Sequence, residues 1–187
     1  MPDERFVELV GLACHDLRTP LATVGGFAKT LVRSDELSDR DARFAAMIDE
    51  AAAQIHVLVE ELSLAARLAG ASYVPILTSE DTLELVASAA GERVRVGGAG
   101  TSLETDRALL CRALAALSTA ALRFGQVDSV AWHVGGRELV LSPIEEGAAA
   151  VLDGSLPRDL GALVARLAIE ELGGTVVVEP GRLRVHV

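Results

Sequence analysis

From Phe6 the apolar residues Phe6, Val10, Ala13, Leu17, Leu21, Val24, Ala28 and Leu31 recur at steps of 4, 3, 4, 4, 3, 4 and 3. Only a helix sustained over many turns places such residues on one side. The polar segment Arg33-Ser-Asp-Glu-Leu-Ser-Asp-Arg40 interrupts the pattern, and Ser38 or Asp39 is suited to cap a second helix. The stripe then resumes as Phe44, Ile48, Ala51, Ile55, Leu58, Leu62 and Ala65, in strictly alternating steps of 4 and 3, which is a heptad seam. Two helices of about 30 residues joined by a short polar loop make an antiparallel hairpin. A lone hairpin has too little partner surface to cover both seams. A second copy supplies it, so the pattern predicts a homodimeric four-helix bundle built from residues 3 to 70, the alternative being that the second half of the same chain covers the seams.

After Leu68 the texture changes. The segment Ala69-Gly-Ala-Ser-Tyr-Val-Pro75 carries Gly and Pro and breaks the heptad. The expected organisation is a hairpin over 1–70, a linker over 71–79 and a second domain over 80–187. Its pattern alternates: a helix around Asp81 to Ala90, a short strand at Arg93 to Val96, and a long helix from about Leu103 to Phe124. Strands at Ser129 to Val134 and Glu138 to Leu141 follow, then a helix from Arg158 to Leu172. A last hairpin pairs Thr175 to Glu179 with Arg182 to Val187 around Pro180-Gly181. Helices on one face of a mostly antiparallel sheet satisfy this order, so the fold class is α+β.

Composition removes several alternatives. The chain has 187 residues and is 50% hydrophobic, enough for one ordinary core or two small ones and too apolar for disorder. Acidic residues outnumber basic ones 27 to 17, and a formal charge of −10 repels a phosphate backbone, which excludes nucleic acid as a partner. No stretch is expected to approach the roughly 20 apolar residues that cross a bilayer. Met1-Pro-Asp-Glu-Arg5 lacks the features of a secretory signal. The two cysteines, Cys14 and Cys111, lie far apart in apolar helical surroundings and fit buried thiols in a reducing, cytoplasmic setting. His15, His56, His133 and His186 have no metal-ligand spacing.

His15 stands about 200° around the helix from both Ala13 and Leu17, so it points into solvent. One turn on, Pro20 removes a backbone hydrogen bond at a cost of about 3 kcal/mol, which packing must offset. Helical steps from His15 reach Thr19, Ala22 and Gly26, all small, leaving a shallow surface on which another protein's helix can dock. His56, beside Ile55, reads as a flanking surface residue.

The string His15-Asp16-Leu17-Arg18-Thr19-Pro20-Leu21 resembles the H-box in the dimerisation and histidine-phosphotransfer domain of two-component histidine kinases. The resemblance covers residues 3 to about 70. It implies that His15 is the phospho-accepting nucleophile, that Asp16 hydrogen-bonds or deprotonates the imidazole, and that Thr19 orients water in a phosphatase reaction. Arg18 is a candidate for steadying the phosphoryl charge, with a plain surface arginine the equal alternative. These roles suit the side chains, since a neutral imidazole is nucleophilic near pH 7 and a carboxylate can fix its tautomer.

The same resemblance implies that residues 80–187 are the family's ATP-binding sandwich in degenerate form. Asp106 to Phe124 follows the spacing of the N-box helix, but its two asparagine positions fall on Ala116 and Ala120, and a methyl group cannot ligate Mg2+. The adenine-reading Asp-x-Gly-x-Gly box survives only as Glu145-Glu-Gly147-Ala-Ala149. The last glycine box, whose backbone meets the phosphates, reads Asp159-Leu-Gly161-Ala162, with a carboxylate at the first glycine. Little chain remains between Gly147 and Asp159 for a lid. The chain holds a single lysine, Lys29, and no asparagine.

The expected function is therefore a histidine phosphotransferase that passes a phosphoryl group between receiver-domain aspartates through His15, without binding ATP. Its cofactor set is empty, with Mg2+ supplied by the receiver. Its partners are response-regulator receiver domains, a second copy of itself, and a hybrid or sensor kinase as a further candidate. Two rivals stand beside it: an autophosphorylating kinase with a divergent ATP site, and a non-catalytic regulator or phosphatase of a response regulator.

Overall fold

The two heptad segments form helices α1 (Glu4–Val32) and α2 (Asp39–Ala69) in the computed structural model, which describes residues 4–34 and 37–187 without the side chains of residues 4–6, 8 and 9. Phe6, the first position of the α1 stripe, lies outside the described side chains. Ser38 starts α2: its hydroxyl accepts from the Asp41 amide at 3.3 Å, and Asp39 and Asp41 place negative charge against the positive end of the helix. Pro20 sits inside α1 without ending it. The chain divides into two compact units, Met1–Ser72 and Tyr73–Val187, so Tyr73 to Leu77, which the sequence placed in a linker, belong to the second unit.

The hairpin contact differs from the one the large apolar residues suggest. Cys14, fully buried, and Ala28 on α1 face Ala45, Ala52, Val59 and Ala66 on α2, with Arg18, Leu21 and Gly25 half-buried between them. A methyl group at Gly25 would stand 3.8 Å from the Ala52 Cβ, so small side chains let the two backbones approach closely. Of the α1 stripe, Ala28 is buried and Val10 and Leu21 are half-buried, whereas Ala13, Leu17, Val24 and Leu31 are exposed. Of the α2 seam, Phe44, Ile48, Ala51, Ile55, Leu58 and Leu62 are exposed and Ala65 is half-buried. The large residues thus form a second stripe, roughly 100° around each helix from the small ones.

The second unit contains β1 (Thr78–Asp81), α3 (Thr82–Ala89), β2 (Val94–Ala99), β3 (Ser102–Thr105), α4 (Arg107–Gly125), β4 (Val130–Gly135) and β5 (Glu138–Ile144). It continues with α5 (Glu146–Leu152), α6 (Leu160–Glu171), β6 (Thr175–Glu179) and β7 (Gly181–His186). Five strands form a sheet in the order β2-β4-β5-β7-β6, antiparallel except that β2 runs parallel to β4. Its inner face carries Val130, Trp132, Val134, Leu139, Leu141, Leu183 and Val185, all buried beneath the helices. The Trp132 indole donates to Ser118 Oγ at 2.9 Å, and that hydroxyl donates to the Leu114 carbonyl, so these two buried polar atoms are satisfied.

The structure corrects three expectations. Residues 102–105 do not begin the long helix. Ser102 to Thr105 pair antiparallel with Thr78 to Asp81, alternating exposed and buried, and α4 starts only after Asp106. A short helix, α5, lies between the strand at 138–144 and α6, where no element was expected. Among the described residues one helix, Arg107–Gly125, is long and apolar enough to cross a membrane by length and composition, contrary to the expectation that no stretch is. Its apolar side is the centre of the core, where Leu110, Leu114 and Leu117 are buried.

Asp106 is the N-cap of α4 and does more than cap. One carboxylate oxygen accepts from the Leu109 amide at 3.0 Å; the other accepts from the Tyr73 hydroxyl and the Ile76 amide, each at 2.9 Å. Burial alone would raise its pKa, but these donors outweigh it and hold the carboxyl below its usual value. Because the folded value is the lower one, the stabilisation is complete above the unfolded value of about 4 and is lost as pH falls through the depressed one. Asp106→Asn, which turns an NH2 toward donors, is expected to cost about 1–3 kcal/mol in urea unfolding at pH 7. The gap between variant and wild type should narrow at acid pH.

Candidate functional site

α1 turns Cys14 into the hairpin seam and thereby sends His15 outward, with three-quarters of its side chain exposed. The His15 Nδ1 lies 3.1 Å from an Asp16 carboxylate oxygen. With the proton on Nδ1, shared with that carboxylate, Nε2 would keep its lone pair. Thr19, one turn on, is exposed, and its carbonyl accepts from the Thr23 hydroxyl at 3.1 Å. Arg18 is engaged across the hairpin: its Nε donates to Glu60 Oε1 on α2 at 2.8 Å.

Ala22 and Gly26 line a groove of about 500 Å3 between α1 and α2, together with Lys29, Asp49, Ala53, His56 and Val57. It lies on the His15 side of the hairpin, away from the exposed stripe of Leu17, Val24, Ile48 and Ile55. His56 is exposed at its wall. Of the residues singled out by sequence, Ala22 and Gly26 line the groove, His15, Asp16 and Thr19 are exposed on α1, and Arg18 is half-buried against α2. Glu60, Lys29 and Asp49 join them unannounced, because no local motif marks them. Pairing α1 against α2 with Gly25 opposite Ala52 would have placed Glu60 near Arg18.

In the second unit, Ala120 is fully buried and Ala116 half-buried on α4. A Cβ on Gly161 would stand 3.6 Å from that of Ala116, and one on Gly147 would come within 2.7 Å of the Phe124 carbonyl oxygen. Helices α5 and α6 thus rest directly on α4. Asp159 caps α6, accepting from the Ala162 amide at 2.9 Å, and its other oxygen is 3.7 Å from Arg123. A carboxylate already occupies the positive end of this helix. Among the described residues no cluster of His, Cys, Asp and Glu is arranged to hold a metal ion.

Residues 7–70 match the His Kinase A (phospho-acceptor) domain family. The hairpin is thus similar to that domain, and the chain as a whole shares the fold of solved histidine kinase structures. Across 96% of its length it superposes on the full-length ShkA crystal structure in complex with AMPPNP, at 20% identity and a TM-score of 0.72, while spanning 44% of that chain. It also resembles the Acinetobacter baumannii histidine kinase AdeS at 18% identity and a TM-score of 0.58, covering 91% of this chain and 94% of that one. No curated protein matches it in sequence.

Proposed function

We propose that this chain is a homodimeric histidine phosphotransferase of a two-component phosphorelay, taking a phosphoryl group from a receiver-domain aspartate onto His15 and delivering it to another receiver. The observation that carries the reading is the pairing of an exposed, carboxylate-held imidazole with a second unit whose nucleotide positions hold methyl groups and a capping carboxylate. His15 Nε2 attacks the phosphorus of the acyl phosphate, and the P–O bond to the receiver's carboxylate breaks as the N–P bond forms. The leaving carboxylate stays on the receiver, and the Asp16 carboxylate offsets the positive charge that develops on the ring by holding and then accepting the Nδ1 proton. The groove beside Ala22 and Gly26 seats a receiver helix, and Mg2+ comes with the receiver's own acidic pocket.

The residues do not fit ATP and its metal. Neither Ala116 nor Ala120 offers an oxygen ligand, α6 is capped from within by Asp159, and α5 closes on the end of α4. Incubation with a receiver phosphorylated on aspartate should label His15, and incubation with γ-labelled ATP and Mg2+ should leave the protein unlabelled. Label from ATP alone would establish the kinase reading instead.

A further inference from the structure

Arg18 lies one helical turn from His15 on α1, the spacing at which helical side chains are neighbours, and its side chain is long enough to extend toward the imidazole. Of its three nitrogens only Nε is engaged, by Glu60 on α2, and the two terminal NH2 groups have no other partner among the described residues. An arginine held by Nε alone presents its outer edge, two N–H groups in a plane, which matches two oxygens of a phosphoryl group. The pair is half-exposed on both sides, so it contributes little to stability as a plain ion pair. It also falls beside Pro20, where the α1 backbone lacks one hydrogen bond and the helix is least stiff. An arginine on that turn with no second helix to hold it would sample many rotamers.

We propose that Glu60 is a positioning residue for phosphotransfer: it fixes Arg18 so that the guanidinium edge meets the phosphoryl group as it arrives at His15. This rests on the phosphotransferase reading and names a member of its site that the H-box string does not contain.

Phosphoramidate, a small phosphoryl donor that phosphorylates imidazoles directly with loss of ammonia, tests it on the full chain without a receiver. His56, His133 and His186 in the same molecule serve as the internal reference, with labelling at each histidine followed by mass spectrometry. Wild-type His15 is expected to label at least about 10-fold faster than the other three, a factor in keeping with one charge-assisted contact. Arg18→Ala should lower the His15 rate about 10- to 50-fold and Glu60→Ala about 3- to 10-fold, with the reference histidines unchanged. The exchanged variant carrying both Arg18→Glu and Glu60→Arg keeps the ion pair but moves the guanidinium to α2. It should melt within about 2 °C of wild type, because exposed pairs weigh little, yet label as slowly as Arg18→Ala.

A Glu60→Ala chain that labels like wild type overturns the proposal. So does an exchanged variant with a restored rate, which would make the pair a strap between helices and nothing more. A wild-type His15 that labels no faster than the reference histidines would instead count against the phosphotransferase reading itself.

Discussion

Replacing His15 with Gln should abolish phosphoryl uptake from a phosphorylated receiver, a loss of at least about 1,000-fold, while leaving the fold and the oligomeric state intact. The expectation rests on where the side chain sits. Three-quarters of it is in solvent, its contact is with the adjacent Asp16, and the residue that α1 commits to packing is Cys14. Nothing structural is lost with the imidazole, and no neighbour can replace it. Nucleophilic attack on an acyl phosphate needs a lone pair at neutral pH, which an amide lacks. Asp16→Asn should do less, about 10- to 100-fold, because the ring remains but its tautomer and developing charge are no longer held by an anion. Phosphohistidine on gels run at alkaline pH is the measurement. Undiminished label in the Gln variant would move the acceptor elsewhere, His56 first, since it lies in the groove on the same side of the hairpin.

The second large effect concerns the exposed stripe. Ile48, Ile55 and Leu58 follow one another on α2 at heptad spacing and are each about half exposed, Leu58 at 55%. Leu17, Val24 and Leu31 do the same on α1. Full burial of one such side chain stabilises by about 1.5–3 kcal/mol, so a row of this length in a four-helix bundle is ample for a tight dimer. Leu58→Glu places a charge of one copy against the apolar seam of the other. It should weaken the dimer at least about 100-fold in analytical ultracentrifugation, leaving a monomer of about half the mass. The opposite face makes the control: Ala53→Glu, in the groove, should leave the dimer intact. If Leu58→Glu sediments as wild type, the stripe is not the dimer interface.

How much of this was legible depends on the size of the side chains that carry each signal. Helix length, the loop at 33–40 and the outward aim of His15 come from periodicity, which survives without any tertiary information. The hairpin contact did not emerge, because Cys14, Gly25, Ala28, Ala45 and Ala52 are too small to stand out beside leucine and phenylalanine. Their function is to let backbones approach, and that depends on the partner helix. Strands β1 and β3 were missed for a related reason: Thr78-Ser-Glu-Asp81 has no apolar pattern, and its pairing is decided by the Leu103 side of its neighbour. Glu60 was invisible because its meaning lies 42 residues away. The alanines at 116 and 120 could be read directly, since a methyl lacks ligand atoms in any fold.

The clasp at Asp106 gives the chain a mechanical property. Tyr73 and Ile76 are bound to the cap of α4, the helix that runs through the centre of the second unit's core. The first four residues of the second unit are therefore fastened, through one carboxylate, to the most deeply packed helix of that unit.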